Sequence, residues 1–228
     1  MLRKLKIFSA VSIVFLLNGC TTIYNPATQK KETHFIDTQS EIALGRDMDL
    51  EIQKKMRIIQ DQEMQLRLGK IAKRIAAASD RQDVIYTFKI IKDKELNAFS
   101  IPGGYVYVNT GLMNMATDDE LACILAHEVG HIAARHSAKK LQAVMGYEII
   151  MSIALGVSGQ HSVAQATDII FNLGSLGYSR QDELLADKLA VRYSKRGEYS
   201  PYGMIGFFEK LKVEGSKRGA NLKIHFLS

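Results

Sequence analysis

Apolar and polar positions follow two different periods along the chain, and the change of period separates its elements. Apolar residues recur at helical spacing in "DTQSEIALGRDMDLEIQKKM", with Thr38 or Ser40 available as a cap, and again from Asp61 to about Ala78. The segments "VIYTFKII" and "YVYVNT" are β-branched and aromatic, which is typical of strands. Between them, Pro102-Gly103-Gly104 is a strong turn signal. We therefore expect two helices followed by two or three short strands.

The second half returns to helical spacing. Thr117 followed by Glu120 fits a capping box, and the helix that it opens is predicted to run through His131 towards His136. The next segment, "AKKLQAVMGYEIIMSIALGV", is predicted to be one further helix. It is rich in apolar residues, but it contains Glu148 and is short for a membrane span, so a buried or amphipathic helix is favoured.

A further helix is predicted from the pattern "SRQDELLADKLAVRYSKRG". Ser179 and Asp182 resemble a cap and its partner, and Gly197 ends the helix. The elements together predict a mostly helical α+β fold with one small sheet.

The first 20 residues have the layout of a secretory signal. "MLRKLKIFSAVSIVFLLNGC" begins with basic residues and continues with an apolar run that is too short to cross a bilayer. Its ending, "LNGC", resembles a bacterial lipobox, in which lipid is attached to the cysteine, here Cys20. We predict a lipoprotein signal peptide over 1–19, a tether over 20–36 and one domain over 37–228. Ordinary signal cleavage nearby, with Cys20 incidental, is the alternative.

Charge argues against nucleic acid as a partner. The formal net charge is +6, and it falls to +3 when Arg3, Lys4 and Lys6 of the signal are removed. A nucleic-acid binder is expected to carry a clustered basic face, which this balance does not suggest.

The pentapeptide "HEVGH" is the strongest chemical signal. Residues four apart share one face of a helix, so His127 and His131 can hold one metal ion. Glu128 lies about 100° round the helix from His127, beside the metal, where a general base for a zinc-activated water is needed.

A catalytic zinc site needs a third protein ligand. The continuation H-E-x-x-H-x-x-G-x-x-H is excluded, because Ala134 and Ser137 occupy the two diagnostic positions. His136 lies about 140° from His131 on a continuous helix, so we expect it to contact the helix C-terminus instead. A Glu from a later helix is the other known solution. Spacing alone leaves several later acids open: Glu148, Asp168, Asp182, Glu183, Asp187 and Glu209.

Two motifs together resemble a known family. "LACILAHEVGHIAARH" and "YSRQDELLADKLA" are similar to the HtpX-type and CAAX-prenyl-protease-type zinc metalloendopeptidases, and "NAFSIPGGYVYVNTGLM" resembles the strand region of their soluble periplasmic lipoprotein branch. The resemblance extends from about Ile36 to the end of the chain. It implies a zincin-type domain with a small β-sheet flanking the metal-binding helix and one Zn²⁺ per chain. It makes Glu183 the third ligand, Asp187 a support for a ligand histidine and Glu128 the base.

The same resemblance implies how substrate binds. In that branch, extended substrate pairs with the edge strand beside the site, which makes Asn97, Ala98, Phe99 and Ser100 candidate contacts. Many relatives also carry, after an "FLS"-like stretch, a T-H-P segment whose histidine can close off the zinc. This sequence ends within "IHFLS", where His225 is a possible substitute. Tyr178 and Arg180 are the candidates for stabilising the substrate carbonyl.

Two functions follow as hypotheses. The first is a zinc endopeptidase of the bacterial periplasm, lipid-anchored through Cys20, with the outer membrane favoured because Thr21 follows the cysteine. It would hydrolyse misfolded, stalled or misassembled envelope proteins. The alternative is a chaperone-like lipoprotein that works with the outer-membrane assembly machinery and in which binding dominates over hydrolysis.

Overall fold

A three-stranded sheet lies between two groups of helices in the computed structural model of the chain, which describes residues 21–34, 36–176 and 178–218. The architecture confirms the predicted mostly helical α+β class. Its strands are β1 (Thr21–Asn25), β2 (Lys30–His34), β3 (Thr87–Ile91), β4 (Ala98–Ile101) and β5 (Tyr105–Asn109). Its helices are α1 (Thr38–Lys55), α2 (Gln62–Ala78), α3 (Thr110–Met115), α4 (Asp118–Ala133), α5 (His136–Met145), α6 (Tyr147–Ala154), α7 (Gln160–Leu176), α8 (Arg180–Arg196) and α9 (Gly203–Arg218).

The sheet has the order β3-β5-β4. The central strand β5 pairs with β3 in parallel and with β4 in antiparallel, so β4 is an edge strand. Alternate side chains face opposite sides: Ala98 and Val106 belong to the core around α4, whereas Phe99 and Tyr107 belong to the core around α1 and α7. The helix that carries "HEVGH" and the edge strand β4 are therefore packed against each other.

The helix that carries "HEVGH" begins as predicted and ends earlier than predicted. The Thr117 hydroxyl accepts from the Glu120 backbone, and the Glu120 carboxylate accepts from the Thr117 backbone. The helix stops at Ala133 because Arg135 takes a left-handed conformation, with φ of 59°. The prediction of a continuous helix towards His136 is wrong, and His136 is the first residue of a new helix.

The apolar segment after it is also divided. Gly146 has a φ of 80°, which an L-residue rarely adopts, and it separates α5 from α6. One helix was expected over this segment. Within the part of the chain that the structure describes, no helix has the length and apolar character needed to cross a membrane.

Residues 21–34 differ from the expected tether. They form an antiparallel hairpin in which the Asn25 side chain donates to the carbonyl of Ala133 at the end of α4, at 3.3 Å. Ala27 is buried in the core, and Glu32 pairs with Lys139 at 2.9 Å. The segment shows little periodicity in sequence because its contacts come from the turn and from single polar side chains.

A buried cluster of charges holds the end of α4. Glu41 of α1 pairs with Arg81 at 2.9 Å and with Arg135 at 2.7 Å, and all three side chains are almost fully buried. Arg81 also donates to the carbonyl of Ile132 at 2.9 Å. The cluster therefore ties the first helix, the loop after α2 and the left-handed turn after α4 to one another.

Candidate functional site

The site lies where α4 and α8 approach closely, and small residues allow that approach. A Cβ on Gly130 would meet the carbonyl oxygen of Ala186 and the Cβ of Leu189, each at 3.2 Å. Ser179 caps α8 and forms the predicted capping box with Asp182, so the first turn of α8 is fixed where it faces the histidines. The contact between α4 and α8 thereby places Glu183 next to the pentapeptide.

Three side chains converge at this contact. The Nε2 atoms of His127 and His131 are 3.0 Å apart, and Oε2 of Glu183 lies 3.4 Å from the first and 3.8 Å from the second. Both histidines are buried, and the Glu183 side chain is 13% exposed. These three residues form a group that could hold a metal ion.

The first histidine is oriented by Asp187, one turn after Glu183 on α8. Oδ1 of Asp187 lies 3.0 Å from Nδ1 of His127, which leaves Nε2 for the cluster. Burial opposes protonation of His127, but Asp187, Glu183 and Glu128 outweigh it and raise its pKa to about 9. The carboxylates thus give the site a strong preference for positive charge.

The second histidine is contacted by His136, which we expected at a helix C-terminus. Nδ1 of His136 lies 2.9 Å from Nδ1 of His131, and its Nε2 lies 3.3 Å from Oδ1 of Asp182. Burial lowers the pKa of His136 to about 4, even though Asp182 favours its protonated form, so the ring is neutral at pH 7. Sequence reasoning missed this contact because it assumed one continuous helix.

Glu128 is buried beside the cluster. Its side chain is 1% exposed. Burial raises the pKa of Glu128 to about 7; His127 opposes this shift, and Glu183 adds to it. A carboxylate whose pKa lies near neutral pH can accept and return a proton, which is the property of a general base.

The donor set fits a metal ion. Within the described residues, Oε1 of Glu128 and Oε1 of Glu183 are buried and have no hydrogen-bond partner. Buried carboxylate oxygens are costly unless they bind a cation or accept hydrogen bonds. Two imidazole nitrogens and one carboxylate are also the ligand set of known catalytic zinc sites. These residues would therefore hold a divalent ion well.

Tyr178 packs against the second histidine of the site, His131. Its ring stacks on His131 with centroids 4.3 Å apart, and its hydroxyl lies 2.7 Å from Oγ of Ser137. Burial raises its pKa well above the ordinary value, so the hydroxyl is neutral. Arg180, the other candidate for stabilising the substrate carbonyl, is exposed at the start of α8.

The register of the edge strand separates the four candidate contacts into two kinds. The backbone of Asn109 donates to the carbonyl of Asn97 at 3.0 Å, which makes these two a hydrogen-bonded pair of the antiparallel ladder. Such pairs alternate, so the backbone groups of Phe99 also face β5. Those of Ala98 and Ser100 face away from β5, and there the Ser100 carbonyl accepts from Ser137 Oγ at 3.4 Å.

Three sequence predictions, including the signal peptide over 1–19, concern positions outside the described residues. Cys20, the expected lipid attachment site, and His225, the possible gate, are not among them. Their roles stay predictions.

Comparison with known proteins gives the family. The family model described as peptidase family M48 matches residues 62–225, which include α4 and α8. The chain is 35% identical over 165 residues to the metalloprotease YcaL of Escherichia coli strain K12, covering 70% of this chain and 63% of that protein. It is 31% identical over 163 residues to the metalloprotease LoiP of the same strain, covering 70% and 64%.

A more distant relative carries a more specific name. The beta-barrel assembly-enhancing protease of Escherichia coli strain K12 is 23% identical over 188 residues, covering 75% of this chain and 39% of that protein. The chain spans less than two thirds of the length of each of these three relatives. Because the family model matches well over half of the sequence and includes both site helices, the chain belongs to peptidase family M48.

Proposed function

We propose that the chain is a zinc-dependent endopeptidase that hydrolyses peptide bonds of extended, unfolded segments. The convergence of His127, His131 and Glu183, with Glu128 buried beside them, is the observation that carries the proposal. The names of the relatives YcaL and LoiP, both metalloproteases, support it.

Each residue of the site would have its own role in the reaction. His127, His131 and Glu183 would hold the ion, which when bound would lower the pKa of water and polarise a peptide carbonyl. Glu128 would take a proton from the attacking water and return it to the nitrogen of the departing amine. Asp187 would keep His127 in the tautomer that presents Nε2.

Substrate would bind along the edge of β4 that faces away from β5. The outward backbone groups of Ala98 and Ser100 can pair with an extended segment as an added strand. Asn97 and Phe99 face a cavity of about 320 Å³ on the α7 side of the sheet, lined with aliphatic and aromatic as well as polar and acidic groups. An apolar side chain of the substrate would fit there. The lining consists of Met56, Asp93, Glu95, Asn97, Phe99, Asn109, Ile170 and Phe171.

The proposed activity is tested with an unfolded protein. We expect the purified chain to cleave reduced, carboxymethylated ribonuclease but to leave the folded, disulfide-bonded form intact, because only an extended segment can pair with β4. A chelator should stop cleavage, and zinc should restore it. Cleavage that persists at full rate after the metal has been removed and its absence verified would contradict the proposal.

Binding by strand addition makes a second prediction. In a set of peptide substrates, N-methylation at every other position near the cleaved bond should lower kcat/KM about tenfold, since each methyl removes one hydrogen bond and adds bulk at the β4 edge. The intervening positions should tolerate the methyl group. A loss that is equal at all positions would show that the substrate does not bind as a regular strand.

We further propose that the protein acts in the bacterial envelope, anchored by lipid at Cys20, on misfolded or misassembled envelope proteins. The signal-like N-terminus and the name of the beta-barrel assembly-enhancing relative support this proposal. Replacing Cys20 with Ser should move the protein from the membrane fraction to the soluble fraction. Membrane association that is unchanged in this variant would show that the anchor lies elsewhere.

A further inference from the structure

His131 is connected to α8 through a second buried histidine. His136 is 3% exposed, and its two ring nitrogens face two different partners. Nδ1 lies 2.9 Å from Nδ1 of His131, and Nε2 lies 3.3 Å from Oδ1 of Asp182. Two contacts therefore connect His131, through His136, to the carboxylate of Asp182.

Only one arrangement of protons suits these two contacts when His131 offers Nε2 to a metal. Its Nδ1 then carries the proton and donates to Nδ1 of His136, which must be an acceptor. The proton of His136 is consequently on Nε2, where it can be donated to Asp182. Each ring nitrogen is then a metal ligand, a donor or an acceptor, and no donor faces another donor.

The same helix orients both ligand histidines. Asp187 contacts Nδ1 of His127 directly at 3.0 Å, whereas Asp182 reaches Nδ1 of His131 through His136. Asp182 is held in turn by the capping box, since its Oδ2 lies 2.6 Å from the Ser179 hydroxyl. Helix α8 would thus provide one ligand, Glu183, and the orientation of the other two.

The break after α4 makes the contact with His136 possible. On a continuous helix, a residue five positions after His131 points about 140° away from it. The left-handed Arg135 ends one helix and lets a second begin at His136, and its guanidinium is fixed by Glu41 at 2.7 Å. The conformation is uncommon for a residue other than glycine, and the buried ion pair stabilises it here.

We propose that His136 and Asp182 are positioning residues that fix the tautomer and the ring orientation of His131 for metal binding. The proposal rests on the zinc site of the proposed function. It gives His136 a role that is separate from direct metal binding by His127, His131 and Glu183.

The first test measures zinc affinity by competition with a fluorescent chelator. His136→Leu removes the acceptor and should weaken zinc binding roughly 10–100-fold, as loss of a partner to a ligand histidine does. His136→Asn places a side-chain oxygen near the position of Nδ1 and should recover most of the affinity. His161→Leu, the same exchange at an exposed histidine of α7, is the matched control and should leave the affinity unchanged.

The second test uses the zinc-loaded wild-type protein and needs no variant to fold. Long-range ¹H–¹⁵N correlation spectra of the imidazoles should show the proton of His131 on Nδ1 and that of His136 on Nε2. A His136 ring with its proton on Nδ1 would overturn the proposal. So would a His136→Leu variant that binds zinc as tightly as wild type.

The outcomes distinguish a failure of the proposed function from a failure of this inference. A wild-type protein that binds no zinc contradicts the proposed function and removes the basis of the positioning role of His136. A wild-type protein that binds zinc, with an affinity that does not change when His136 is replaced, contradicts only the positioning role of His136.

Discussion

Replacing Glu128 with Gln is expected to abolish peptide cleavage while zinc binding remains. The amide has nearly the same shape as the carboxylate but cannot accept the proton of the attacking water, so the loss should be about 10²–10⁴-fold in kcat. Glu128 contributes no atom to the His127, His131 and Glu183 group, so zinc stoichiometry should be unchanged. Cleavage of an unfolded protein and zinc content should be measured on the same preparation.

An exposed acid provides the control for this substitution. Glu63, in the first turn of α2, is exposed, and Glu63→Gln should cleave at the wild-type rate. Cleavage by Glu128→Gln at an undiminished rate would contradict the assignment of the base. If the variant loses cleavage and still restores envelope function fully in a deletion strain, the chaperone-like role would be favoured.

Replacing Glu41 with Leu is expected to destabilise the fold strongly. The substitution leaves the guanidinium groups of Arg81 and Arg135 buried without their shared carboxylate, and breaking a buried ion cluster in this way costs about 3–5 kcal/mol. For a chain of this size, that loss corresponds to a fall in Tm on the order of 10 °C. Thermal unfolding followed by circular dichroism measures it.

The control is an ion pair at the surface of the same helix. Glu51 pairs with Lys54 at 3.1 Å; the lysine side chain is 58% exposed and that of Glu51 is 15% exposed. Because solvent reaches the lysine, Glu51→Leu should change stability by no more than about 1 kcal/mol. Equal effects of the two substitutions would contradict the role given to the buried cluster.

The cluster also predicts how stability depends on pH. Burial raises the pKa of Glu41, but Arg81 and Arg135 outweigh it and hold the pKa below the ordinary value of 4.5. A folded-state pKa below the unfolded value stabilises the fold above that unfolded value, and the contribution is lost as the pH falls through the folded value. The difference in Tm between wild type and Glu41→Leu should accordingly shrink in acid.

Much of the fold was predictable because its signals are local. The capping box at Thr117 and the one at Ser179 fix where α4 and α8 begin, and both lie within four residues of sequence. Asp61 caps α2 at the predicted position. Strands β3 and β5 were visible from their β-branched and aromatic residues.

The predictions that failed concern features that depend on contacts between distant segments. Nothing near Arg135 in sequence signals a left-handed turn, because the turn is held by Glu41, 94 residues away. The hairpin at 21–34 is fixed partly by Asn25 and its bond to Ala133, 108 residues later. Sequence spacing alone left six later acids open as the third ligand. The structure shows that Glu183 approaches both Nε2 atoms while Asp187 faces Nδ1 of His127.

The central claim is that Glu183 completes a zinc site with His127 and His131. Elemental analysis of purified residues 21–228, beside the Glu183→Ala variant, tests it most directly. Zinc near one per chain in the wild type and its loss from the variant are the results that we predict. Zinc retained at full stoichiometry by Glu183→Ala, or no zinc in the wild type, would contradict the claim.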